Sequence, residues 1–67
     1  MSNLFDPPKY VFGSLVGIDG NAFALMAHFT QCARKSGWGR DEIEKVIKAA
    51  QSGNYDNLIT VLDSHME

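Results

Sequence analysis

The stretch "KYVFGSLVGIDGNAFALM", Lys9 to Met26, decides how this chain is read. Its first half alternates like a strand: Tyr10, Phe12, Ser14 and Val16 share one face, and Val11, Gly13 and Leu15 the other. Its second half becomes helical at Ala22. Between them stand Gly17, Asp19, Gly20 and Asn21, more turn residues than a connector needs. The stretch therefore predicts a strand over about residues 9–16, a glycine-rich joint, and a helix from residue 22.

Downstream, "NAFALMAHFTQCARKSG" predicts a first helix over about residues 22–36, with Asn21 as N-cap and Gly37 as the residue that closes it. Ala22, Leu25, Phe29 and Cys32 or Ala33 form one apolar stripe, and Phe23, Met26, Ala27 and Thr30 a second beside it. A helix apolar over that much of its circumference is expected to be covered on two sides. "GRDEIEKVIKAAQSG" predicts a second helix over about 40–52. Its acids Asp41, Glu42 and Glu44 come early and its cations Lys45 and Lys48 later, which suits the helix dipole. Its apolar stripe is Ile43, Val46, Ile47 and Ala50. "NYDNLITVLDSHM" predicts a third helix over about 55–65, capped by Asn54, with Tyr55, Leu58, Ile59, Leu62 and Met66 facing inward. Upstream, residues 1–8 read as an extended arm, because Pro7 and Pro8 cannot donate backbone hydrogen bonds. Leu4 and Phe5 are the residues there able to anchor it. The expected fold class is α+β, mostly α, with one strand and three helices in a single domain over residues 9–67.

Sixty-seven residues form a core that is marginal alone, and small scaffolds usually need a staple. The single cysteine, Cys32, excludes an internal disulfide. Association is the staple left. A lone strand has unpaired groups on both edges, and the same strand of a second copy would satisfy one of them. The alternative, pairing within the chain against residues 2–6, is limited by the prolines. The reading is a homodimer or higher homo-oligomer with Tyr10, Val11, Phe12, Leu15, Phe23 and Met26 at the interface.

The net charge of −2 argues against a duplex nucleic-acid binder. No apolar run approaches 18 residues, so no membrane span is expected. A free thiol and an N-terminus unlike a signal peptide fit the cytoplasm, which for a phage protein is the host's.

Gly17, Asp19, Gly20 and Asn21 are the first ligand candidates. Glycines at the start of a helix expose backbone N–H groups that favour an anion, and Asp19 would suit a ribose hydroxyl or a base N–H. The competing reading is a capped structural turn. Arg34, Lys35 and Arg40 flank "SGWG" and, with Trp38 and Tyr10, make a basic cluster beside aromatic rings. Here the competing reading is cations at a helix C-terminus with Trp38 in the core. His28 and Cys32, four apart, are two metal donors without a third, so no metal site is expected. His65 reads as solvated near a frayed end. No nucleophile–base pair is visible, so no catalytic residue and no cofactor are assigned, and the chain is read as non-enzymatic.

Leu15, Val16, Gly17, Asp19, Gly20, Asn21, Ala22 and Phe23, with "SGNYDNLI" at 52–59, resemble a loose group of small, mostly uncharacterised proteins from bacteria and their phages. These share a "LVGxDGNAF" start and a "SGxYDxLL" end. Asn54 stands here for the more usual acidic residue and Ile59 for a leucine. The resemblance covers about residues 15–62 and implies a cytosolic protein of bacterial or phage origin; the group carries no established activity to transfer. Residues 37–62 are also similar to the last two helices of ubiquitin-associated-like domains, with Gly37, Trp38, Arg40, Ala50, Asn54 and Leu62 at comparable places. The expectation is a binding protein that captures a nucleotide-like signalling molecule in a pocket of an oligomer. The alternatives are a protein–protein adaptor with a ubiquitin-associated-like helical surface and a minor virion component.

Overall fold

In the computed structural model, which describes residues 3–67, three helices form the domain: α1 (Ala22–Lys35), α2 (Arg40–Gln51) and α3 (Tyr55–Asp63). Each boundary has a local cause. The Asn21 side chain accepts from the Phe23 N–H at 2.8 Å and starts α1. Gly37, at φ 85°, ends it. The Gly37 N–H donates to Arg34 O at 3.1 Å and the Trp38 N–H to Ala33 O at 3.0 Å, a Schellman closure that turns the chain into α2. Glu42 reaches back to accept the Gly39 N–H at 2.8 Å and so holds the start of α2. Asn54 caps α3 by accepting from the Asn57 N–H, while the Asn57 amide donates to Ala49 O and Ala50 O at the end of α2. That amide lies only 3.0 to 3.1 Å from where a Cβ on Gly53 would stand, so the turn keeps a glycine there.

The core is one cluster. Leu25, Phe29 and Ala33 of α1 meet Ile43, Val46 and Ala50 of α2 and Leu58, Val61 and Leu62 of α3, with Val11 and Trp38 from the connecting segments. These are most of the first stripe of α1 and of the predicted stripe of α2; in α3 Leu58 and Leu62 are buried as expected, Ile59 and Met66 pack partly against the core, Tyr55 is exposed, and Val61 is buried instead. The second stripe of α1 behaves differently: Phe23 is 78% exposed, Ala27 is exposed, and Met26 and Thr30 are half-buried.

The predicted strand at 9–16 does not form, and the domain is helical rather than α+β. What remains is a single parallel bridge between Val11 and Met66. The Val11 N–H donates to His65 O at 2.8 Å and its carbonyl accepts from the Glu67 N–H at 3.0 Å. Beyond Val11 the Gly13 N–H reaches Glu67 O in one longer bond of 3.4 Å, and the neighbouring groups are taken elsewhere. The Phe12 N–H donates to Ser36 Oγ at 3.0 Å, Ser14 O bonds His28 Nε2 at 2.8 Å, and the Val16 N–H donates to Ser14 Oγ at 3.1 Å. Gly13, at φ 150°, bends the chain between them. Residues 12–21 therefore run back along α1 from its C-terminal to its N-terminal end. Within the chain, the pairing partner is the C-terminal tail and not residues 3–6; residue 2 of the alternative pairing lies outside the described residues.

The arm lies on the domain. Of residues 1–8, Met1 and Ser2 are outside the described part. The Asn3 amide donates to Lys9 O at 2.7 Å and Ser64 O at 3.2 Å, and its carbonyl oxygen accepts from the Phe5 and Lys9 N–H groups. Phe5 packs edge-on against Trp38, with ring centroids 5.2 Å apart, and against His65 at 5.8 Å. Lys9 pairs with Glu42 of α2.

Candidate functional site

A groove opens between α1 and α2, with a volume of about 410 Å³. Thr30 and Arg34 line it from α1 and Trp38 from the turn. Arg40, Ile43, Glu44 and Ile47 line it from α2. The α2 residues recur at the spacing that puts four side chains on one helix face, and Thr30 and Arg34 are one turn apart on the other wall. The size lies within the range of small-molecule sites.

Its chemistry is polarised. Ile43, Ile47 and an edge of Trp38 supply the apolar wall. Trp38 is only 7% exposed, and Phe5, Phe29 and His65 surround it edge-on at 5.2, 5.8 and 6.3 Å. Its ring is part of the core and offers no free face for stacking. The Thr30 hydroxyl donates to Met26 O at 2.9 Å, which leaves it only acceptor capacity toward the groove. The donors are the guanidinium groups of Arg34 and Arg40. Arg40 bonds Glu44 at 3.3 Å on an open surface, its side chain 89% exposed. Such a pair contributes about 0–1 kcal/mol, so little holds Arg40 back from a better anion. Two guanidinium groups against one carboxylate leave the rim net positive.

Neither a protein-family model, a curated protein nor a solved structure matches this chain.

The groove brings together Arg34, Trp38 and Arg40 of the predicted ligand residues. Lys35 is exposed at the end of α1 and Tyr10 is exposed beside Val11, and neither lines it. Gly17, Asp19, Gly20 and Asn21 lie at the other end of α1, about 20 Å away by helical rise. There each has a structural task. Gly17 turns the chain at φ 81°. Asp19 accepts from the Asn21 N–H at 3.0 Å, Asn21 caps α1, and Gly20 O accepts the Tyr55 hydroxyl, tying the joint to α3. Thr30, Ile43, Glu44 and Ile47 were not among the predicted site residues. The signal for them was the shared face of Arg40, Ile43, Glu44 and Ile47 opposite Arg34, visible once α1 and α2 are taken as neighbours.

Of the predicted interface residues, Val11 is fully buried in its own chain, and Leu15 and Met26 pack partly against the core. Tyr10, Phe12 and Phe23 are exposed, as is Val16. Cys32 Sγ lies 3.5 Å from His28 Nε2, but that nitrogen is 2.8 Å from Ser14 O. A carbonyl only accepts, so the nitrogen carries the hydrogen and cannot take the thiol proton. Among the described residues no three of His, Cys, Asp and Glu are grouped to hold a metal ion, and no helix is long and apolar enough to cross a membrane. His65, read from sequence as solvated, is fully buried.

Proposed function

We propose that this chain is a small binding protein that captures an anionic, nucleotide-like molecule in the groove between α1 and α2. The observation that carries this reading is the pairing of Arg34 and Arg40 across a groove of about 410 Å³ whose wall is Trp38, Ile43 and Ile47. The guanidinium groups would engage phosphate oxygens, each in a planar two-point geometry. Ile43 and Ile47 would cover an apolar ring face, and Glu44 and Thr30 would accept from a ribose hydroxyl or a base N–H. Capture needs no catalytic group.

Calorimetry and thermal-shift measurements with cyclic dinucleotides and ADP-ribose derivatives test it. Loss of a charge-assisted hydrogen bond costs about 1.5–3 kcal/mol, so Arg34→Ala and Arg40→Ala should each weaken binding by about tenfold or more. Binding should also fall with added salt. If none of these compounds stabilises the folded protein, the reading is wrong.

A second reading, a protein–protein adaptor, is favoured by a different observation. Phe12, Val16 and Phe23 are 77%, 88% and 78% exposed on the segment along α1 and at its start. Set along the length of α1, these large apolar side chains are surface that a partner could cover. A stoichiometric protein partner lost on Phe12→Ser and Phe23→Ser, with nucleotide screens negative, would favour this reading over capture.

A further inference from the structure

His65 is fully buried, and both of its ring nitrogens are engaged by backbone. Nδ1 lies 2.7 Å from Val61 O, and Nε2 accepts the Leu4 N–H at 3.0 Å. A carbonyl only accepts and an amide N–H only donates, so the ring is the neutral Nδ1–H tautomer. The second bond is the arm's direct hydrogen bond to this ring, and Phe5, the next residue, rests on the ring's edge. A proton on Nε2 would point at the Leu4 N–H, setting donor against donor. The two cannot both stay.

Around the ring, Lys9 of the arm and Lys45 of α2 reach its aromatic neighbours, Glu42 of α2 pairs with Lys9, and Asp6 is the arm's carboxylate. Asp63 and Glu67 flank the ring in its own segment. The Lys9 ammonium is 5.3 Å from the Trp38 ring centroid; the Lys45 ammonium is 4.9 Å from that of Phe5. The Glu42 carboxylate is already paired with Lys9, and the carboxylates of Asp6, Asp63 and Glu67 belong to exposed side chains, whereas the ring they flank is fully buried.

We propose that His65 is a proton-operated latch for the N-terminal arm: protonation at Nε2 ejects the Leu4 N–H and lifts residues 3–6 from the Trp38 and His65 face, while Lys9 stays tied to Glu42. Because Trp38 also walls the groove, release changes the ligand site. That consequence rests on the function proposed above, whereas the latch itself does not and is read without any ligand.

The test is a titration of the whole chain from about pH 8 to about pH 5, the range in which histidines change charge. Amide exchange at Leu4 and the emission of Trp38, the sole tryptophan, are followed together with the nitrogen shifts of His65. Lys9 and the Gly39 N–H hold the Glu42 carboxyl below the usual glutamate range, so the Lys9–Glu42 pair persists through this titration. Leu4 should lose its protection and Trp38 emission should shift in step with His65 protonation, while the Val11, Leu25 and Glu67 amides stay protected. Asn3→Ala, which removes the arm's bond to Ser64 O without touching the ring, should move the release to higher pH. His65→Gln, with an uncharged donor and acceptor, should abolish the transition. The proposal is overturned if His65 takes up a proton while Leu4 and Trp38 are unchanged. It is equally overturned if Leu4 and Leu25 lose protection together, or if Asn3→Ala leaves the midpoint where it was.

Discussion

Gly13 is the position where a single methyl group should do most harm. Its φ of 150° is one that L side chains rarely adopt, and a Cβ there would stand 2.7 Å from Cys32 Sγ. Gly37 is also left-handed, at φ 85°, but nothing lies within 4 Å of its would-be Cβ. The two glycines separate backbone strain from crowding. Gly37→Ala should cost about 1–2 kcal/mol, from handedness alone. Gly13→Ala adds overpacking and should cost about 3 kcal/mol or more. Adding Cys32→Ala should restore part of the loss at Gly13 and none at Gly37. Denaturant unfolding of the five proteins measures this, and equal costs without any rescue would show that the sulfur does not constrain the loop. The same contrast separates what was legible in the sequence from what was not. Asn21, Gly37 and Asn54 act within a few residues of themselves, so their capping roles could be read directly. The contact of Gly13 with Cys32 and the burial of His65 depend on segments far apart in sequence, and no local pattern announces them.

At the level of elements, the helices were readable because each repeats its apolar residues at the helical period and has its own caps. The strand was not, because alternation reports only which residues differ from their neighbours. In "KYVFGSLV" the alternation is real: Val11 enters the core, Leu15 packs partly against it, and Phe12 and Val16 point to solvent. Val11 and Gly13 bond the C-terminal tail, but Phe12 and Ser14 find Ser36, the C-cap of α1, and His28 of α1 instead of a strand. The arm shows the complementary case. Leu4 and Phe5 were its expected anchors, and both pack against the core. Its tie to α2 through Lys9 and Glu42 has a definite pH dependence. The Lys9 ammonium, followed by the Gly39 N–H, holds the Glu42 carboxyl below its ordinary range. A carboxyl whose folded value is depressed contributes stability that is present above its unfolded value and is lost as pH falls through the folded one. Glu42→Gln should therefore destabilise the protein at neutral pH, and the difference from wild type should vanish in strong acid. Urea unfolding of both proteins across that range checks the sign. A deficit that persists once all carboxyls are protonated would assign Glu42's contribution to packing instead.

For the whole molecule, the difficulty is size. A chain this short buries too little by stacking three helices, and the sequence alone pointed to a second copy as the remedy. Within the chain, segments far apart in sequence add burial beyond the helices. Val11 and His65, near opposite termini, are both fully buried, and the backbone pairs Val11 with His65 and Glu67. Residues so distant in sequence meet only when everything between them is folded, so this pairing makes the domain cooperative as a unit. The Val11 and Glu67 amides should then exchange with solvent only through global unfolding, with the same free energy as the Leu25 and Val61 amides. In the loop back along α1, the Val16 amide, held only by its neighbour Ser14, should exchange orders of magnitude faster. Native-state hydrogen exchange in low denaturant tests this. If Glu67 exchanges as freely as Val16, the C-terminal tail is frayed, the terminal pairing does not close the fold, and the missing burial must come from another molecule.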